Sequence, residues 1–138
     1  MRRIPPVAVL AAALAWGVGS APSAQTAASD RLGCEALRNI RNLTLTGAEL
    51  AEAEDGGRYC YVKGILPPAI HFHVQLPLPR NWNGRFLQWG DGGKDGDLDF
   101  ADHRVREGYA VANSNTGHDS GAEPGSSFAH DNRQAEID

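Results

Sequence analysis

The sequence predicts an α/β domain in which an antiparallel meander leads into a mixed sheet. Three observations point there. Apolar and polar residues alternate with a period of two through residues 59–63 and again through 70–76. An Asn83-Gly84 turn then opens a third apolar stretch over 85–89. Beyond a glycine-rich loop, a helical pattern over 100–107 is followed by the compact apolar run 109–112, the order of a β-helix-β unit.

At 138 residues the chain is long enough for one small domain, and 41% hydrophobic with 22% charged residues is an ordinary globular balance. The first 24 residues read as a Sec-type secretory signal. Arg2 and Arg3 form a charged start, residues 7–18 are an apolar run too short for a comfortable membrane span, and Ala21-Pro22-Ser23-Ala24 offers small residues for cleavage. An uncleaved anchor or a buried helix is the rival reading. Residues 25–33 then form a flexible mature N-terminus, and 34–138 the domain, with no membrane segment left after signal removal. The net charge of −4, more negative still without Arg2 and Arg3, and the lack of a basic stripe argue against a nucleic-acid partner. The two cysteines, Cys34 and Cys60, are most simply one disulfide in an exported protein, contributing on the order of 3 kcal/mol. Two buried thiols or a metal site are the alternatives, the latter without a CxxC or a nearby histidine to complete it.

Taken in order, Leu37, Ile40 and Leu43 have helical spacing, so a short amphipathic helix is expected over 34–43 with Arg38 and Arg41 outward. Asn42-Leu43-Thr44 matches a glycosylation sequon, a tripeptide common by chance. Thr46-Gly47-Ala48-Glu49 can cap a second helical turn, which residues 52–57 soon break. Residues 59–64 and 70–76 are strands, the second ended by Pro77 and Pro79. With the strand after Asn83-Gly84, the whole of 59–90 reads as an antiparallel meander. Gly108 stops the next helix, 109–112 fits a buried strand, and 113–125 is a polar loop.

The segment Gly90-Asp91-Gly92-Gly93 follows a strand, where glycines can bring bare backbone N–H groups against a phosphate, a carboxylate or an ester oxyanion. A P-loop fails because Gly93-Lys94 is followed by Asp95, and a dinucleotide fingerprint fails because residue 95 is not glycine. An oxyanion-hole loop of the HGGG type fits the position; a plain glycine turn is the bland alternative. Asp91, Asp95, Asp97 and Asp99 fail the EF-hand pattern at Phe100 and Arg106 and read as a solvated acidic loop. His71 and His73 share a strand face but lack a third ligand, so they read as polar-face histidines. Gly125-Ser126-Ser127-Phe128-Ala129 approaches a nucleophile elbow but ends in alanine and follows Pro124, and His130 is too close to serve it. No Ser-His-Asp constellation can be built from this chain.

Residues 59–64, 70–77, Trp82-Asn83-Gly84-Arg85-Phe86-Leu87-Gln88, the glycines, Gly108-Tyr109-Ala110-Val111-Ala112 and Thr116-Gly117-His118 occur in the order seen in the tannase and feruloyl esterase family. The sequence resembles that family from Cys34 to its last residues. The resemblance implies a secreted serine esterase of the α/β-hydrolase fold with a large lid domain, acting on small-molecule aromatic-acid esters of the galloyl or feruloyl type. It implies that this chain is the N-terminal part of that fold, inactive alone, with the catalytic triad, the lid and a structural calcium in the lid all after Asp138, and no cofactor in the chain itself. It implies a Cys34–Cys60 disulfide, and oxyanion-hole N–H groups at Gly92 first and Gly93 next. Thr116-Gly117-His118 would border the pocket, with no role assigned. Asp91 and Lys94 depart from the family pattern, as does Asn113-Ser114-Asn115; Asp91 is expected to point away from the oxyanion, whose charge it would oppose. The rival reading of another class is a small secreted β-rich ligand-binding module, with Trp82 and Trp89 as an aromatic platform.

Overall fold

In the computed structural model, which describes residues 24–90, 96–123 and 125–131, five strands form one sheet. β1 (Thr44–Glu52), β2 (Arg58–Leu66) and β3 (Ile70–Pro77) are successive antiparallel partners. β5 (Ala110–Ser114) lies antiparallel beside β3, and β4 (Phe86–Gln88) lies parallel to β5 at the sheet edge. One face carries helix α1 (Ala24–Ala36) and a 3-10 turn (Leu37–Asn39), with Cys34, Cys60 and Leu78 buried between and Leu37, Leu50 and Leu76 packed around them. The other carries helix α2 (Asp102–Arg106) over Tyr59, Ala101, Val105 and Val111. Of the expected leader over 1–24, only Ala24 is among the described residues.

The N-terminal segment departs from its apolar spacing. Residues 25–33, expected as a flexible lead-in, lie within α1, and the helix ends before Leu37 instead of running through 34–43. Tertiary anchors override the local pattern. Cys34 is bonded to Cys60, and the Asp30 carboxylate takes both guanidinium nitrogens of Arg80, at 2.8 and 2.9 Å, with Arg58 at 3.3 Å. The Arg80 hydrogen bond is the main reason the Asp30 carboxyl sits below the usual carboxylate range. Ile40 and Leu43 are left exposed as the chain turns through Asn42, at φ 66, into β1.

The helical turn expected from Thr46 is instead the middle of β1. Its apparent cap is overruled by pairing with β2, from Thr44↔Ile65 to Glu52↔Arg58, with the register shifting between Leu45 and Gly47 so that Thr46 is the bulged residue. Residues 52–57 are not a helix breaker but the hairpin turn. Gly56 takes φ +82, and the Asp55 side chain accepts the Gly57 N–H at 3.0 Å.

The meander holds for β1 to β3 and fails for β4. Residues 78–85 carry the chain past the slot beside β3, and β5 fills it. The chain between β3 and β4 is held by its own contacts. Asn81 N–H donates to the Leu78 carbonyl at 2.7 Å, and Asn83 reaches the far end of α2, its N–H to the Gly108 carbonyl at 3.0 Å and its Nδ2 to the Glu107 carbonyl at 2.9 Å. Gly108 has φ +90, and a Cβ there would lie 2.6 Å from the Asn81 carbonyl oxygen, so only glycine both stops α2 and admits this strand. The expected β-helix-β unit is present as β4-α2-β5.

β3 is where the sequence predicts it, but its polar side is not the solvent side. His73 and Gln75 are 1% and 0% exposed, because the segment 99–106 closes over them. That closure is made of hydrogen bonds. Gln75 Oε1 accepts the Ala101 N–H at 2.8 Å and its Nε2 donates to Asp102 at 2.6 Å, while His73 Nε2–H donates to the Asp99 carbonyl at 2.8 Å. Nδ1 of His73 therefore carries no proton, and faces the Tyr61 hydroxyl at 3.4 Å. Burial pushes the His73 pKa below its ordinary value. Between the folded value and about 6.5 the unfolded chain binds more protons, so stability should fall as pH drops through that window and level off below it. Urea-unfolding free energies at pH 7.5, 6 and 5 should decline more steeply for the wild type than for His73→Gln; parallel slopes would refute this assignment.

Candidate active site

β4 and β5 run parallel, in register Phe86↔Ala110, Leu87↔Val111 and Gln88↔Ala112, so their carboxyl ends open on the same side. In α/β sheets ligands collect at that edge, where chain segments leave parallel strands. Here two segments leave it: the glycine loop after β4 and the loop through Thr116-Gly117-His118 after β5.

The first is held at its root. Trp89 N–H donates to the Ala112 carbonyl at 2.7 Å, one step beyond the last β4–β5 pair. Asn113, 2% exposed, sends Nδ2 back to the Trp89 carbonyl at 3.2 Å. Asn113 Oδ1 is buried without a hydrogen-bond partner among the described residues. The Trp89 ring packs against the α2-side core and meets His103 edge-on at 5.4 Å. Trp82 lies at the other end of β4, 56% exposed, its Nε1–H donating to the Arg85 carbonyl at 3.2 Å. The two tryptophans therefore do not form one aromatic platform.

Gly92 and Gly93, the expected oxyanion donors, lie outside the described residues with Asp91, Lys94 and Asp95. The chain is described again from Gly96, which is buried at φ +72 against His118. Asp97 accepts the Ser120 hydroxyl at 2.5 Å. Asn115, 8% exposed, knits β3 to the second loop. Its N–H donates to the His71 carbonyl at 3.0 Å, and its Oδ1 accepts the N–H groups of His71 at 2.8 Å and Gly117 at 3.1 Å.

Other sequence candidates come out separately. His71 is exposed and His73 buried with both ring nitrogens engaged, so the two do not converge on a ligand. Among the described residues no group of three or more His, Cys, Asp or Glu is placed to hold a metal ion. Ser126 precedes a single 3-10 turn (Ser127–Ala129), not the helix of a nucleophile elbow. A cleft of about 510 Å³ lined by Glu54, Asp55, Phe100, Asp102, His103 and Arg106 sits beside the β1–β2 turn. That turn lies at the amino ends of β4 and β5, and an Asp55–Arg106 ion pair at 2.5 Å spans the cleft, so it is distinct from the glycine-loop edge. Gln75, Asn113 and Asn115 escaped the sequence reading as structural residues. The available signal was the polar side of β3 and the amides on either side of Ser114, which periodicity alone assigns to solvent.

Comparison with known proteins gives a consistent result. A family model described as tannase and feruloyl esterase matches residues 57–138, more than half of the chain. A probable feruloyl esterase B-2 of Aspergillus flavus is 50% identical over 47 residues, 33% of this chain and 9% of that protein. An uncharacterized esterase of Agrobacterium fabrum is 30% identical over 131 residues, 83% of this chain and 24% of that protein. The crystal structure of feruloyl esterase B from Aspergillus oryzae superposes with a TM-score of 0.58 at 20% identity, over 78% of this chain and 25% of that one, which shows a shared fold. This chain thus spans about a quarter or less of the length of each of these relatives.

Proposed function

Because this chain belongs to the tannase and feruloyl esterase family, we propose that it is the N-terminal part of an exported serine carboxylic ester hydrolase acting on aromatic-acid esters. The observation that carries the reading is the family match across both segments at the carboxyl ends of β4 and β5, the glycine loop and the His118 loop. In this reading a serine from the remainder of the protein attacks the ester carbonyl carbon, and a histidine takes its proton. The carbonyl oxygen becomes an oxyanion that accepts hydrogen bonds from the N–H groups of Gly92 and Gly93. An oxyanion-hole donor of this kind is worth about 3 kcal/mol of barrier. The C–O bond then breaks, the alcohol leaves with the proton, and water releases the aromatic acid from the acyl-enzyme. A substrate of this class is a small molecule. The leader expected over 1–24 would place the protein outside the cytoplasm, and the Cys34–Cys60 disulfide supports that reading, since disulfides persist there.

The complete reading frame that contains this chain should hydrolyse methyl ferulate or methyl gallate, with loss of activity to a serine-directed phosphonate. The 138-residue chain alone should show no such turnover. Hydrolysis by the 138-residue chain would overturn the division of labour. An inert complete protein, or one active only on aliphatic esters, would overturn the activity or the substrate class respectively.

A further inference from the structure

We propose that the cleft between the β1–β2 turn and α2 is a binding site for a neutral saccharide, separate from the glycine-loop edge and independent of the ester-hydrolase reading. At about 510 Å³ the cleft has the size of a small-molecule pocket. Its wall carries an aromatic ring that is fixed from behind. Phe100 packs on His73 at 4.7 Å and on Tyr61 at 5.5 Å between ring centroids, yet remains 53% exposed where it lines the cleft. A ring already held in this way loses little further freedom when a ligand lies against it. Its π face is negative, which suits the weakly positive C–H face of a sugar ring.

The polar groups of the cleft are held in the same manner. Asp55 accepts the Gly57 N–H at 3.0 Å and pairs with Arg106, and these two contacts, the first the larger, keep its carboxyl below the usual carboxylate range. Asp102 accepts Gln75 Nε2–H on Oδ1 at 2.6 Å, and His103 meets the Trp89 ring edge-on. Arg106 Nη1 donates to Asp55, and a guanidinium has five N–H donors in all. Glu54 and the second oxygen of Asp102 add acceptors, so donors and acceptors both surround the Phe100 ring. Hydroxyl groups donate and accept alike, and a sugar presents them around an apolar ring. An anion would meet the carboxylates of Glu54, Asp55 and Asp102. An organic cation is the closest rival, but it would meet the Arg106 guanidinium. A narrower hollow of about 120 Å³ shares Asp55, Asp102 and Arg106 with the cleft and reaches on to Arg58 and Asn81. That continuation gives room for an adjoining sugar unit, so the site suits an oligosaccharide better than a monosaccharide.

The test uses the protein expressed from its complete reading frame, run in native gels cast with hydroxyethylcellulose, xylan or galactomannan. At least one of these polymers should retard it relative to a plain gel. Phe100→Ala should weaken the affinity about tenfold, and Phe100→Tyr, which keeps the ring, should recover it. Glu54→Ala, at an exposed turn position, should weaken it about threefold and gives the reading if Phe100→Ala does not fold. Glu54→Gln keeps an acceptor without the charge and should stay within about twofold of wild type. Absence of retardation in all these gels overturns the proposal, and so does retardation that survives both Phe100→Ala and Glu54→Ala. A loss in Glu54→Gln as large as in Glu54→Ala, or displacement of the polymer by millimolar spermidine, overturns it in favour of an organic cation.

Discussion

Gln75→Leu should destabilise the folded chain by about 2–4 kcal/mol, although it replaces a polar side chain with an apolar one of similar size in a fully buried position. The reason lies in what Gln75 holds. Its carbonyl oxygen is the acceptor for the Ala101 N–H, and Ala101 is itself fully buried at the entry to α2. Its amide donates to Asp102. Leucine would leave the Ala101 donor without a partner in a place water does not reach, at a cost of about 1–3 kcal/mol, and would free the Asp102 carboxylate from its contact. The segment that closes the polar face of β3 would lose its fastening beside Val111. For a domain near 100 residues this corresponds to roughly 10–20 °C in unfolding midpoint. His71→Ala, an exposed position two turns of the pleat away on the same strand, should change stability by no more than about 0.5 kcal/mol. Equal midpoints for Gln75→Leu and wild type in thermal unfolding would show that the two hydrogen bonds do not fasten α2.

The double substitution Cys34→Ser with Cys60→Ser should cost about 2–5 kcal/mol and should act mainly on α1. That helix is 13 residues long and buries only Cys34, so it has little intrinsic hold on the sheet. Asp30 also holds it, between Arg58 and Arg80, but the Arg80 partner is about half exposed, where ion pairs contribute little. Without the disulfide, trypsin should cut at Arg31 and Arg38 well before the strands are attacked. Protection at those two sites equal to wild type, under conditions where the disulfide is absent, would mean that packing alone seats the helix.

Much of the fold was legible because it is local. The alternation in β3, the Asn83-Gly84 turn and the stop at Gly108 each depend on backbone preferences that the residue types carry with them. β1 was misread because Thr46-Gly47-Ala48-Glu49 satisfies a helix-cap pattern, while its strand state is decided by β2, a partner that no window of local sequence contains. α1 was misplaced because Leu37, Ile40 and Leu43 mimic a helical stripe, yet Cys60 and the two arginines fix the helix further upstream. The site was legible as a pair of motifs, the glycines and Thr116-Gly117-His118. Their meeting was not, because it is made by Gly96 resting on His118 across two loops.

The sequence by itself determined the strand period of β2 and β3, the stop at Gly108 and the family, because these follow from dihedral preference and from the order of residues along the chain. Only the tertiary structure decided that β5 enters between β3 and β4, that the polar side of β3 is a buried layer, and that His73 is enclosed while His71 stays in water. Each of those outcomes turns on contacts between distant segments. A strand has two faces and two edges, and what covers them is settled by whichever segment can satisfy their apolar surface and their hydrogen bonds together.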